Sequence, residues 1–229
     1  MSIRLLWQQI PSPIISEMMA HSKFNGVVLD TEHGCFNNET LYNCIRTIRL
    51  NKNDCYVRVT EVNETLVRMC LDAGANGIIF ANIERYEQIE VIEKICIYPN
   101  RGLGFCKEND YGYKTLMDVN KPIIICQIES DECVARLCEF TKYLFIDYWM
   151  IGPYDLSKSL GCPGDFKNSI YTATILDIIG FLGTKKLGIH LVTDEAIFNY
   201  EKYKEWGLLA IGLDTRIIMD SIKRWEQLK

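Results

Sequence analysis

Residues 122–130 read PIIICQIES, and residues 143–161 read YLFIDYWMIGPYDLSKSLG. Two apolar runs, Ile123–Cys126 and Tyr148–Ile151, each lead into a carboxylate. The first passes through Gln127 to Glu129, the second through Gly152 and Pro153 to Asp155. The stretch between them has helical spacing with Ser130 as its cap, and short apolar runs separated by a helix read as the parallel strands of a βαβ unit. In such a unit both carboxylates leave the sheet at one edge, beyond the carboxyl ends of neighbouring strands. Taken singly, Glu129 reads as a helix cap and Asp155 as a turn residue. Taken together, they are hard oxygen donors that suit a divalent cation.

The same alternation extends outward in both directions. Strand runs Ile3–Gln8, Gly26–Asp30, Cys55–Val59 and Gly77–Phe80 precede this unit, and Leu187–Leu191 and Leu209–Leu213 follow it. Helical runs lie between them: Ser12–Met19, Glu39–Leu50 with Asn38 as the expected cap, a run from Asn63 that Gly74 ends, and Glu84–Cys96. Three more follow, over Ser169–Leu182, behind a Thr193 cap, and from about Thr215. Tyr98–Lys121 breaks the rhythm, and a loop of that length is usually functional or mobile. Eight strand runs, each followed by a helical run and with no break in composition, predict a single α/β domain over residues 1–229, a (β/α)8 TIM barrel. A doubly wound sheet would carry a glycine-rich phosphate loop after an early strand, but the first two strand ends are Gln-Gln-Ile-Pro and Asp-Thr-Glu-His.

At 229 residues and 48% hydrophobic, the chain can bury a sizeable core. A net charge of −5 without a basic block argues against nucleic acid as a partner. No apolar run reaches the length of a membrane span and the amino terminus lacks a signal-peptide layout, so the cytoplasm is the expected location. Of the ten cysteines, Cys70, Cys96, Cys126 and Cys138 fall within apolar patterns, where a free thiol serves as a small hydrophobe. No CxxC pair signals structural zinc. Cys162, in a Gly-Pro-rich turn, is expected to be exposed.

A (β/α)8 barrel builds its site at the carboxyl ends of its strands. Those ends supply Trp7 and Gln8; Asp30, Glu32 and His33; Arg58; Gln127 and Glu129; Asp155; His190; and Asp214. Arg58 needs an anionic partner, either Asp30 or Glu32 in a structural pair or a substrate oxygen. His33 is a candidate proton shuttle that Asp30 and Glu32 are placed to orient. His190 reads as a core or rim residue and His21 as a surface one.

Asp30-Thr31-Glu32-His33, Val57-Arg58, Gln127-Ile128-Glu129 and Gly152-Pro153-Tyr154-Asp155-Leu156-Ser157, in this order, resemble the HpcH/HpaI aldolase/citrate lyase family of metal-dependent class II pyruvate aldolases, which includes 2-keto-3-deoxy sugar-acid aldolases. Leu71-Asp72-Ala73-Gly74, Ser159-Leu160-Gly161 and Gly212-Leu213-Asp214-Thr215 extend the match from about residue 3 to the carboxyl terminus. The resemblance implies reversible cleavage of a 4-hydroxy-2-oxo acid to pyruvate and an aldehyde through a pyruvate enolate. It implies Glu129 and Asp155 as ligands of Mg²⁺, Mn²⁺ or Co²⁺, and Arg58 on the keto oxygen. Gln127 with Gly152, Pro153 and Tyr154 would seat pyruvate. His33 would be the acid/base, Asp72 its carboxylate partner, and Asp30 lies beside it. Asp72 ends a helix at the barrel floor, so that role requires a neighbouring subunit and hence a homo-oligomer, a hexamer or trimer. Tyr98–Gly102, Phe105–Asn120 and the segment after Gly161 depart from the family pattern, so no acceptor identity is implied. A malyl- or oxaloacetate-type lyase or decarboxylase, or a catalytically quiet metabolite-binding barrel, are the alternative expectations.

Overall fold

The computed structural model describes residues 2–60, 62–98, 100–102, 104–115, 119–193, 197 and 200–228. Eight parallel strands close into a barrel in sequence order. They are β1 (Ile3–Gln8), β2 (Gly26–Asp30), β3 (Asp54–Val59), β4 (Gly77–Phe80), β5 (Ile123–Ile128), β6 (Tyr148–Ile151), β7 (Leu187–Leu191) and β8 (Leu208–Ile211). β1 closes the barrel on β8, with Leu5 opposite Ala210. The predicted (β/α)8 architecture is therefore the one observed. The helices outside are α1 (Pro13–Ala20), α2 (Asn38–Leu50), α3 (Glu64–Asp72), α4 (Tyr86–Cys96), α5 (Asp131–Phe140), α6 (Pro153–Ser159), α7 (Ser169–Leu182) and, last in the chain, α8 (Asp214–Glu226). The helix expected behind Thr193 lies largely outside the described residues. No described helix is long and apolar enough to cross a membrane.

Runs such as GVVLD and GIIF are buried along their whole length, as strands covered on both faces must be. Alternate side chains divide between two cores. Leu5, Trp7, Val28, Tyr56, Ile79, Ile125, Met150, Leu208 and Ala210 fill the barrel. The residues between them point outward and pack beneath the helices. This alternation sends Asp30, Arg58, Gln127 and His190 inward at the carboxyl end, one step above the apolar layers.

Some local expectations change. Asn37, not Asn38, caps α2: its side chain accepts the Thr40 N–H at 2.8 Å, and its extended backbone leaves Asn38 as the first helical residue. Cys162 is buried because its turn folds back onto α6, with its N–H on the Ser157 carbonyl at 2.9 Å. Cys138 is exposed, off the buried stripe Cys133–Leu137–Phe140 of α5. Within the long connection, Lys107–Gly112 forms a kinked 3₁₀ turn. It is anchored by a buried pair in which Arg101 Nη2 donates to Glu108 at 2.7 Å.

Candidate active site

Adjacent strands form the first half of the site. The register pairs Asp30 with Arg58, so carboxylate and guanidinium face each other inside the mouth. Arg58 donates through Nε at 2.9 Å and Nη2 at 2.7 Å, one bond to each Asp30 oxygen. Its Nη1 lies 2.6 Å from Glu32 Oε2. Arg58 thus pairs with both carboxylates that the sequence offered as partners. Two of its five N–H groups donate to Asp30, while the Nη1 contact with Glu32 is an ion pair without hydrogen-bond geometry. Asp30 also accepts from Trp7 Nε1 and Gln9 Nε2, both at 3.1 Å. Burial pushes the Asp30 pKa up, but the Arg58 guanidinium and the neutral donors outweigh it and hold the carboxyl at about 2. The guanidinium lies over Trp7, 5.1 Å from the ring centroid. His190 stacks on Trp7 at 4.2 Å, and its Nε2 meets the Gly212 carbonyl at 2.9 Å.

From sequence, Asp30 and Glu32 are expected to orient the His33 ring. In the folded chain Asp30 instead holds the backbone of that turn, where its Oδ1 accepts the N–H groups of Glu32 and His33 at 3.1 and 3.2 Å. With the Asp30 carboxylate committed to Arg58, the exposed His33 side chain makes no hydrogen bond to a described residue.

The second half of the site is the βαβ unit of β5 and β6. Gln127 is 2% exposed, and its carbonyl oxygen has no partner. Glu129 is buried just beyond β5, and its Oε2 accepts the Asn82 backbone N–H at 3.0 Å. Burial raises its pKa to about 7; the Asn82 N–H and the Arg58 charge oppose the shift, and the charges of Glu32 and Asp155 add to it. Asp155 is exposed in the first turn of α6. Gly152 makes the corner possible, since a Cβ there would stand 2.7 Å from Glu129 Oε1. Pro153 and Tyr154 open α6 beside it. A buried carboxylate with one donor, a second carboxylate nearby, an unpartnered amide oxygen and space where a side chain would crowd all fit a hard cation with its oxygen ligands.

Asp72 is not in this mouth. It ends α3 at the opposite end of the barrel, where the Cys106 thiol donates to its Oδ1 at 3.4 Å and Glu108 lies close enough to complete a three-residue cluster. Gln8 and Asp214 are strand-end polar residues that act structurally. Gln8 ties together the β1–α1 turn through Ile10, Ser12 and Ser16. Asp214 accepts the backbone N–H groups of Gln9 and Ile10, both at 2.9 Å. Sequence reasoning missed Gln9 and Asn82. Asn82 carried a faint signal: an Asn two residues beyond a strand run suits the positive φ of 53° it adopts.

A closed parallel barrel with opposed acidic and basic groups at its carboxyl mouth defines a small-molecule site of the (β/α)8 class. Within that class the chain belongs to the HpcH/HpaI aldolase/citrate lyase family, whose model matches residues 4–176. It is 26% identical over 230 residues to a 2-keto-3-deoxy-L-rhamnonate aldolase of Klebsiella pneumoniae, covering 96% of this chain and 85% of that protein. It is 25% identical over 230 residues to a hydroxypyruvate/pyruvate aldolase of Pseudomonas aeruginosa, covering 95% and 85%. The crystal structure of an HpcH/HpaI aldolase/citrate lyase family protein from Burkholderia cenocepacia superposes with a TM-score of 0.88 at 22% identity, covering 99% of this chain and 93% of that one.

Proposed function

We propose that this chain is a divalent-metal-dependent aldolase, a single barrel domain over residues 1–229, that reversibly cleaves a 4-hydroxy-2-oxo acid to pyruvate and an aldehyde. The family and its aldolase relatives support the reaction class. The observation that carries the metal is Glu129, a buried carboxylate with one hydrogen-bond donor beside Asp155. These two residues would hold Mg²⁺, Mn²⁺ or Co²⁺. When bound, such a cation supplies Lewis acidity to a coordinated keto acid.

The remaining work falls to the chain. Arg58, held by Asp30 and paired with Glu32, offers its remaining terminal N–H groups to the keto oxygen and to the charge that grows there on enolisation. Gln127 and the Gly152–Tyr154 turn seat the keto acid. His33 takes a proton from the pyruvate methyl carbon and returns one to the alkoxide formed on the aldehyde carbon. In cleavage the same proton movements run in reverse. Asp72 supports His33 from a neighbouring subunit, which requires a homo-oligomer, a trimer or hexamer. Ten free thiols suit the reducing cytoplasm.

Exchange of pyruvate methyl protons with D₂O, followed by NMR, tests this reading without knowledge of the aldehyde. Exchange is expected with Mg²⁺, and it is lost with EDTA or in Glu129→Gln. No exchange under any of the three cations would overturn it.

A further inference from the structure

Beside the metal-side corner, the molecule has a cavity of about 430 Å³, a volume in the range of small-ligand pockets, about 300–1,000 Å³. It shares walls with the site. Tyr154, between Gly152 and Asp155, lines it, and so does His190, whose ring lies on Trp7 under Arg58. The cavity and the metal-side corner thus meet at the turn that carries Pro153 and Tyr154.

The far walls have their own chemistry. Phe166 meets Tyr154 edge-on at 5.2 Å and Tyr171 at 5.5 Å, giving a continuous aromatic side. Ile189 and Leu191 line the cavity too, both buried. Lys167 and Lys202 border this apolar space, and neither forms an ion pair with a described residue. Asp165 is the acidic residue of the lining, and its Oδ1 is already turned to the Lys167 backbone N–H at 3.2 Å. His190 adds no charge: its Nε2 faces a carbonyl, so that nitrogen carries the proton, and burial holds its pKa down at about 4.

We propose that this cavity receives the acceptor aldehyde and selects one with a flat or apolar body ending in an anionic group, a carboxylate or a phosphate. The proposal rests on the aldolase reading. A polyhydroxylated chain would press hydroxyls against the apolar Phe166, Ile189 and Leu191 walls. A flat body stacks on the rings, and an anionic end meets two ammonium groups that form no ion pair with a described residue.

The test measures kcat/KM in the aldol direction, with pyruvate and Mg²⁺, for two matched pairs. Benzaldehyde against 4-carboxybenzaldehyde probes a carboxylate on a flat body. Glyceraldehyde against glyceraldehyde 3-phosphate probes a phosphate on a hydroxylated one. The anionic member of at least one pair is expected to lead by about tenfold or more, and the carboxylate pair leads if the flat body matters. In Lys167→Ala/Lys202→Ala the ratio within that pair falls to near unity, with the neutral aldehyde as internal reference. Equal rates within both pairs, or a preference that survives the double substitution, would overturn the proposal. A second arm needs no turnover: calorimetric binding of 4-(hydroxymethyl)benzoate, an unreactive alcohol, to the metal-free protein is expected and should weaken about tenfold in the double variant. Wild-type protein that exchanges pyruvate methyl protons yet shows no anionic preference leaves the aldolase reading standing and removes this one. If exchange itself is absent, the binding arm decides the cavity alone, and no binding overturns the inference.

Discussion

The two corners of the barrel mouth are each built around a buried carboxylate and solve opposite problems. In the β2–β3 corner, Asp30 receives two bonds from Arg58 and one each from Trp7, Gln9 and two backbone N–H groups. Its carboxyl is held at about 2. In the β5–β6 corner, Glu129 has one backbone donor and its carboxyl is pushed up to about 7. Both carboxylates are buried. One corner supplies its own counter-charge. The other leaves a charge to be neutralised from outside, which is what a resident cation would do.

The contrast breaks most sharply at Arg58. Arg58→Met strands Asp30 and Glu32 in the mouth, and loss of one partner of a buried pair costs about 3–5 kcal/mol. Urea denaturation at pH 7.5 should show that loss together with abolished methyl exchange.

Glu129→Gln should move the other way. The carboxyl pKa stands at about 7 against an ordinary 4.5, so the ionised group costs the metal-free fold at pH 8 about 3 kcal/mol, at 1.36 kcal/mol per pKa unit. The amide keeps the acceptor for Asn82, so the variant should be more stable without metal and unresponsive to Mg²⁺. Mg²⁺ at one hundred times its Kd should stabilise the wild type by about 2.7 kcal/mol. A Glu129→Gln protein less stable than wild type in EDTA would erase the distinction between the corners.

The corners also titrate with opposite signs. Asp30 is lowered from 3.8, so its contribution to stability is complete above that value and is lost as pH falls through about 2. Glu129 is raised, so in metal-free protein the fold binds its proton more tightly than the unfolded chain does. That contribution is complete below 4.5 and declines as pH rises through about 7. Carboxyl-carbon NMR shifts with Asp30 and Glu129 as the observed groups would check both midpoints.

Gly152→Ala sharpens the comparison with a smaller effect. Its Cβ would stand 2.7 Å from Glu129 Oε1 and 2.8 Å from Glu129 Cγ. The side chain must shift, at a cost of about 1–3 kcal/mol, and Mg²⁺ affinity should fall while the Asp30 midpoint stays in place.

The barrel was legible because burial on both faces forces each strand into an apolar run, and eight such runs are hard to misread. The β5–β6 corner was legible for the same reason: Glu129 comes directly after β5, and Asp155 four residues after the end of β6. The β2–β3 corner was legible in part. Asp30, Glu32 and Arg58 could be named, but which carboxylate Arg58 takes depends on strand register, and that is fixed by the pairing of two strands. Asn82 contributes through its backbone at a positive φ, so its side chain hardly advertises it. Asn37 and Asn38 are chemically equal as caps, and only the backbone angles at the turn separate them. Cys162 was misread because a Gly-Pro turn in sequence says nothing of whether the turn folds back on a helix.

His33 stands outside both corners and should affect stability least. Its ring is exposed and its backbone N–H does the holding, so His33→Ala should change stability by under about 0.5 kcal/mol. Methyl exchange, however, should fall about 10²–10⁴-fold, the weight of a general acid/base. Asp72→Asn should act similarly if its carboxylate supports His33 across an interface, although within one chain it is fastened to Cys106 at the far end of the barrel. Mixing the two inactive variants decides the matter. Where a subunit carrying Asp72→Asn takes the intact Asp72 of a His33→Ala neighbour, its own His33 again has a partner, and exchange should partly return. If subunits are shown to mix and no activity returns, Asp72 belongs to the floor cluster with Cys106 and Glu108, and the mouth works without it.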